Sequence, residues 1–133
     1  MSTSGDGGQP PVAIVFKGQG KLRQHMLDEL EAASGGLHIM WQKRAWCDIQ
    51  VMIEYMKTVL APWAKEHEDP LVDDEHKLLV LDHCGRTHNA PAVRTAIRQA
   101  GFLPFFLEPG MTHRLQPVDA GIGKSLPAHV RNT

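Results

Sequence analysis

Two carboxylates and their neighbours carry most of the chemistry this sequence offers. Asp82 ends the run Lys77-Leu78-Leu79-Val80-Leu81-Asp82, and Asp119 follows Leu115-Gln116-Pro117-Val118. A short apolar run that ends in an acid reads as a buried strand delivering that acid to its carboxyl end. In open α/β sheets, ligands and metals bind at that edge. Two carboxylates brought there from separate segments can hold a hard divalent cation, because such ions take oxygen ligands. The plainer reading has Asp82 opening a loop and Asp119 capping a helix. His83, Cys84 and His88 crowd the same stretch. A structural zinc site wants four such ligands in paired spacings, and the sequence offers no second pair. Gly18-Gln19-Gly20-Lys21 and Gly121-Ile122-Gly123-Lys124-Ser125 each hold part of a phosphate-loop pattern. Neither has its glycines at the required distance; Val118 stands where the second would need one.

The elements that must position these groups alternate between strand and helix, which predicts an α/β fold. Val12 to Phe16 reads as a short buried strand, followed by a turn at Lys17–Lys21. Leu22 to Ala33 reads as a helix, with Leu22, Met26, Leu27, Leu30 and Ala33 on its core face and Gly35-Gly36 at its end. Leu37 to Trp41 is a weak strand. Asp48 is a plausible N-cap, since its side chain can accept from the free N–H groups of the first turn. Ile49, Met52, Ile53, Met56, Val59, Leu60 and Trp63 then recur at helical spacing and predict the longest helix, with Pro62 near its end. Lys65 to Glu75 is an acidic surface linker. After the Leu78–Leu81 strand, Asn89 is expected to cap a helix with Pro91 in its first turn, Val93, Ile97 and Ala100 inward, and Gly101 as the stop. Leu103 to Leu107 is a strand, with Pro104 arguing for an edge position or a late start. A loop over Pro109–Pro117 and a short helix after Asp119 complete the chain.

These residues resemble a known family. The strand ending in Asp82, His88 after it, and then Pro109, Thr112, Gln116-Pro117 and Asp119 are similar to the DDE superfamily of endonucleases and transposases. Within it they look most like the pogo/Tigger branch, with its jerky-like and centromere-binding relatives. Pro11-Val12-Ala13-Ile14-Val15-Phe16-Lys17-Gly18 resembles that family's strand ending in Phe-Lys-Gly. Ala45-Trp46-Cys47-Asp48 resembles its Ala-Trp helix start. The resemblance implies a partial RNase H-like fold comprising the third to fifth strands with their helices, spanning residues 11–126. Residues 1–10 form a disordered tail and 127–133 a second tail. It implies that Asp82 and Asp119 are catalytic metal ligands for Mg²⁺ or Mn²⁺. It implies that His88, Thr112, Arg114 and Gln116 are candidates for contact with nucleic acid, that DNA is the partner, and that the location is nuclear. The family's first catalytic acid lies on a strand before the one that here begins at Val12, where only Met1–Pro10 and the lone Asp6 stand. The sequence therefore predicts a catalytically incomplete domain that completes its sheet by self-association or with a further N-terminal portion. The alternative is a non-enzymatic module that binds DNA or protein; without the family, the pattern would suit a small α/β ligand-binding domain.

Composition sets the outer limits. A chain of 133 residues makes one domain with a modest core. No apolar run approaches the roughly 18 residues of a bilayer span, and no charged start precedes an apolar stretch as in a signal peptide. Two cysteines, Cys47 and Cys84, are too few for a disulfide scaffold and are expected as free thiols in an intracellular protein. The net charge of −1 gives no basic signature, but its distribution is uneven. From His83 onward six basic residues face two acids, whereas 66–75 holds six acids. A basic half suits phosphates, and so does an ordinary mixed surface.

Overall fold

The computed structural model describes residues 2–20, 22–34, 37–68, 77–84 and 86–110. Over these residues the architecture is α/β, built from two parallel strand pairs and four helices. Strand β1 (Ala13–Lys17) leads into helix α1 (Gln24–Ser34) and returns as β2 (His38–Gln42). Helix α2 (Ile49–Tyr55), a π-helical turn (Met56–Leu60) and helix α3 (Ala61–Glu66) then form one continuous rod. Strand β3 (Lys77–Leu81), helix α4 (Pro91–Gln99) and strand β4 (Phe102–Phe106) follow. β1 pairs in parallel with β2, from Ala13 opposite His38 to Lys17 opposite Gln42. β3 pairs in parallel with β4, Lys77 opposite Phe102 through Leu81 opposite Phe106. Among the described residues the two pairs remain separate sheets.

The rod follows from its apolar stripe. Val51, Met52, Met56, Val59, Leu60 and Ala64 are buried along it, one or two per turn, as a single helical face requires. The π turn has a local cause. Pro62 has no N–H to return to the carbonyl of Thr58, and its ring crowds that carbonyl. The backbone widens instead, and the N–H of Ala61 reaches back to the carbonyl of Met56.

Asp48 starts the rod as the sequence predicts. Its Oδ1 accepts from the Val51 N–H at 3.0 Å and its Oδ2 from Gln42 Nε2 at 3.0 Å. The Val51 N–H, helped by the Gln42 amide, holds the carboxyl below its ordinary value of 3.8, against an opposing desolvation. A carboxyl depressed in the folded state contributes stability that is complete above the unfolded value and is lost as pH falls through the folded one. Asp48→Ala should therefore cost about 1 kcal/mol at neutral pH and Asp48→Asn much less. Urea melts at pH 7 and pH 3 check this: the gap between wild type and Asp48→Ala should narrow at the lower pH.

The core forms where α4 and the β3–β4 pair close on the rod. Met52, Met56, Leu60, Val93, Ala96, Ile97 and Phe102 form one buried cluster, with Leu79 and Leu81 packed against it. Helix α4 contributes Val93, Ala96 and Ile97, the i, i+3, i+4 set. Gly101, at φ 86°, turns the chain into β4 in a conformation that costs glycine little. Two expectations need correcting. Asn89 does not cap α4: Pro91 fixes the first helical position, so Ala90 is the N-cap, with no side-chain bond. Asn89 lies one residue too early, and its Oδ1 is buried without a partner. The α1 face is not a core face at Met26, which is 41% exposed.

One sheet face is bare. Leu78, Val80, Leu103 and Phe105 are 61%, 44%, 42% and 53% exposed. They occupy the alternate positions of β3 and β4 that point away from the cluster. Parallel sheets are normally covered on both faces, so these four leave unburied apolar surface among the described residues.

Candidate functional site

Asp82 leaves the carboxyl end of β3, the edge at which α/β sheets bind ligands. The chain then coils back on itself. The Asp82 carbonyl accepts from the Cys84 N–H at 3.0 Å, and the Cys84 carbonyl from Thr87 and His88 at 3.0 and 2.9 Å. This turn returns His88 to Asp82, six residues upstream. His88 Nδ1 lies 2.5 Å from Asp82 Oδ1 and 3.3 Å from the Asp82 carbonyl. An ionised carboxylate only accepts, so Nδ1 carries the proton and Nε2 is left for water or substrate. The Asp82 side chain is 36% exposed and that of His88 19%. The pair is thus accessible yet partly sheltered.

Asp82 and His88 line a cleft of about 1090 Å³. Every residue from Lys77 to Asp82 borders it, but Phe102 alone of β4 does, so the edge of β3 opposite β4 faces inward. Ala13, Val15 and Met40 of the other strand pair line it as well. Within the stretch expected as a tail, Ser4 and Gly8 close a turn at 2.8 Å between Ser4 N and the Gly8 carbonyl. Ser2 to Asp6 also line the cleft. Ser2 Oγ meets Tyr55 Oη at 2.7 Å. Partial burial pushes the Tyr55 phenol up, against the bond from Ser2, so it stays neutral. The Ser4 hydroxyl and the Gly8 N–H hold Asp6 below its ordinary carboxylate value.

Of the six site residues expected from the sequence, the structure brings Asp82 and His88 together. Asp119, Thr112, Arg114 and Gln116 lie outside the described residues. His83 and Cys84 are exposed, and Cys47 and Cys84 are free thiols. Among the described residues no three His, Cys, Asp or Glu side chains gather as a metal site would require. Among the described residues Asp82 follows β3 at this edge and Glu108 follows the parallel β4, and His88 already occupies one of the Asp82 oxygens. The described donors therefore do not by themselves make a two-metal centre, which relies on shared carboxylates around ions ~3.5–4 Å apart.

Two features escaped sequence reasoning. One is the hold of His88 on Asp82, because a six-residue spacing says nothing of the turn between. The other is Cys47, which borders the same cleft. The residue as a whole is exposed, yet its thiol is sheltered enough that desolvation, then the Asp48 carboxylate, raise its pKa, with Cys84 and Asp82 adding weakly.

A strand that delivers an acid to its carboxyl edge, a histidine fixed on that acid and a cleft beside both suit nuclease-type chemistry. The model of the DDE superfamily endonuclease family matches residues 3–133, and the chain belongs to that family. No curated protein and no solved structure matches it.

Proposed function

We propose that this chain is a transposase-derived DNA-binding domain whose Asp82 edge descends from a metal-dependent DNA-cleaving and strand-transfer centre. The observation that carries the reading is Asp82 at the end of β3, held at 2.5 Å by His88, in a member of the DDE endonuclease family. The pogo/Tigger branch and the partial RNase H-like arrangement are part of the same reading, as is a nuclear location. Asp82 and Asp119 would hold Mg²⁺ or Mn²⁺, ions that favour carboxylate oxygens. When bound, such ions polarise phosphodiester oxygens and activate water. The chain's own part is to place Asp82 and orient it through His88, with Thr112, Arg114 and Gln116 as further contacts to DNA. Catalytic incompleteness belongs to the same reading, since His88 already engages Asp82 and Asp119 is the one further acid assigned to the site.

Mg²⁺ should stabilise the protein weakly. At a free concentration equal to Kd the gain is about 0.4 kcal/mol, or roughly 1–3 °C in a domain of this size. Thermal melts with and without Mg²⁺ test it, and Asp82→Asn or Asp119→Asn should erase the shift. An unchanged shift in both variants would remove these residues from the metal site. A second reading, a non-enzymatic module that binds protein or itself, is favoured by the bare Leu78, Val80, Leu103 and Phe105 face. Self-association that rises with concentration and disappears in Val80→Lys would favour it.

A further inference from the structure

We infer that the turn at residues 43–46 is a stacking element for an unpaired nucleobase, with Trp46 taking the base and Lys43 and Arg44 the adjoining phosphates. Trp46 is 72% exposed, unusual for the largest apolar side chain. Lys43 and Arg44 are also exposed. Trp46 precedes the Asp48 cap, so it lies off the buried stripe of the rod.

The turn is built. Gln42, the last residue of β2, bonds it with both ends of its amide. Its Oε1 accepts from the Arg44 N–H at 2.5 Å and from the Trp46 N–H at 3.3 Å, while its Nε2 donates to Asp48 at 3.0 Å. The Gln42 carbonyl accepts from Ala45 at 3.1 Å, and the Trp46 carbonyl from Asp48 at 3.0 Å. Ala45 sits at φ 56°, a left-handed conformation that a residue with a Cβ adopts at a cost. Such strain persists where the surroundings over-determine it and is concentrated at functional sites. A pre-ordered turn also loses little freedom on binding.

The location points to DNA. The turn leaves the carboxyl edge of the β1–β2 pair, where Lys17 lies opposite Gln42. Cys47, the next residue, borders the cleft that holds Asp82 and His88. DNA lying along the Asp82 edge would pass this turn. Base pairs inside a duplex are stacked on both faces, so only an unpaired or terminal base offers a free face to an indole. Aromatic stacking of such a base is largely indifferent to sequence, and basic side chains neutralise the backbone beside it.

The inference rests on the reading that the Asp82 edge receives DNA, and the test separates the two. The probes are a fluorescent blunt duplex and the same duplex with a three-nucleotide single-stranded overhang, followed by anisotropy without metal. The intact chain should prefer the overhang, and its tryptophan emission should be quenched on binding. Trp46→Ala should abolish the preference, a loss of about tenfold in affinity for the overhang probe, while the blunt duplex binds as before. Trp46→Phe should keep most of it. Lys43→Ala and Arg44→Ala should each lower the salt dependence by about one counterion. An overhang preference that survives Trp46→Ala would overturn this inference and leave the Asp82 reading standing. Failure of both probes to bind would overturn both. A dimer that dissociates in Trp46→Ala would assign the side chain to a contact between copies instead and overturn the stacking role.

Discussion

Ile97→Ala should destabilise the protein by about 2–5 kcal/mol, the usual cost of truncating a fully buried aliphatic side chain. Ile97 has no exposed surface and sits in the cluster where α4 meets Met52, Met56, Leu60 and Phe102. The loss combines lost transfer free energy with a cavity that two helices and a strand pair cannot jointly collapse. The margin against it is small. Domains are typically stable by about 5–15 kcal/mol, and the described residues form two separate two-stranded sheets, each marginal alone. Urea titration at 25 °C reads the effect: with a slope of about 1–3 kcal/mol/M, the midpoint should fall by 1 M or more. Leu78→Ala is the internal comparison. Leu78 is 61% exposed on the bare face, so its truncation should cost under about 0.5 kcal/mol in the isolated chain. Equal losses in the two variants would mean that the bare face is covered in solution, and a loss under about 1 kcal/mol at Ile97 would mean that the cluster is not the core.

What the sequence made legible, and what it did not, divides along physical lines. The stripe from Ile49 to Trp63 is long enough for its period to be unmistakable, and the structure buries most of it. Asp48 was legible because capping is local chemistry between a side chain and the next turn. Asn89 misled because proline fixes the first helical residue more firmly than a polar side chain fixes the cap. Met26 misled because periodicity shows that a helix has an apolar face but not what covers it. The register of β1 on β2 was not legible for a related reason: the partner is a short, weak strand, and its register depends on contacts remote in sequence. At the site, Asp82 was legible from the strand that ends in it. The grip of His88 was not, since it depends on three N–H groups converging on the carbonyl of Cys84. Trp46 stood out as part of a family motif, but its exposure depends on the turn that Gln42 closes.

The purified chain should not cut DNA detectably with Mg²⁺ or Mn²⁺. Phosphodiester cleavage by a two-metal centre needs carboxylates that hold both ions and keep the attacking and leaving oxygens in line. Asp82 is the described acid assigned to the site, and it is already bonded to a histidine that competes for its oxygen. Asp119 would raise the number of carboxylates to two, and two close carboxylates repel unless a cation lies between them. One ion could then be held weakly, which is enough for a small thermal shift and too little charge for the transition state. Removing a single donor from a preorganised site commonly costs a factor of 10²–10³. A supercoiled plasmid incubated with protein and Mn²⁺, the more forgiving ion, checks this by the appearance of nicked or linear DNA. The expected result is none above a no-protein control, for wild type and Asp82→Asn alike. Nicking by the wild type that vanishes in both Asp82→Asn and Asp119→Asn would show that the two acids suffice, with His88 or another side chain in the place of the third. His88→Ala would then decide between those two, since removing a ligand would abolish the nicking and removing a positioning group would only slow it.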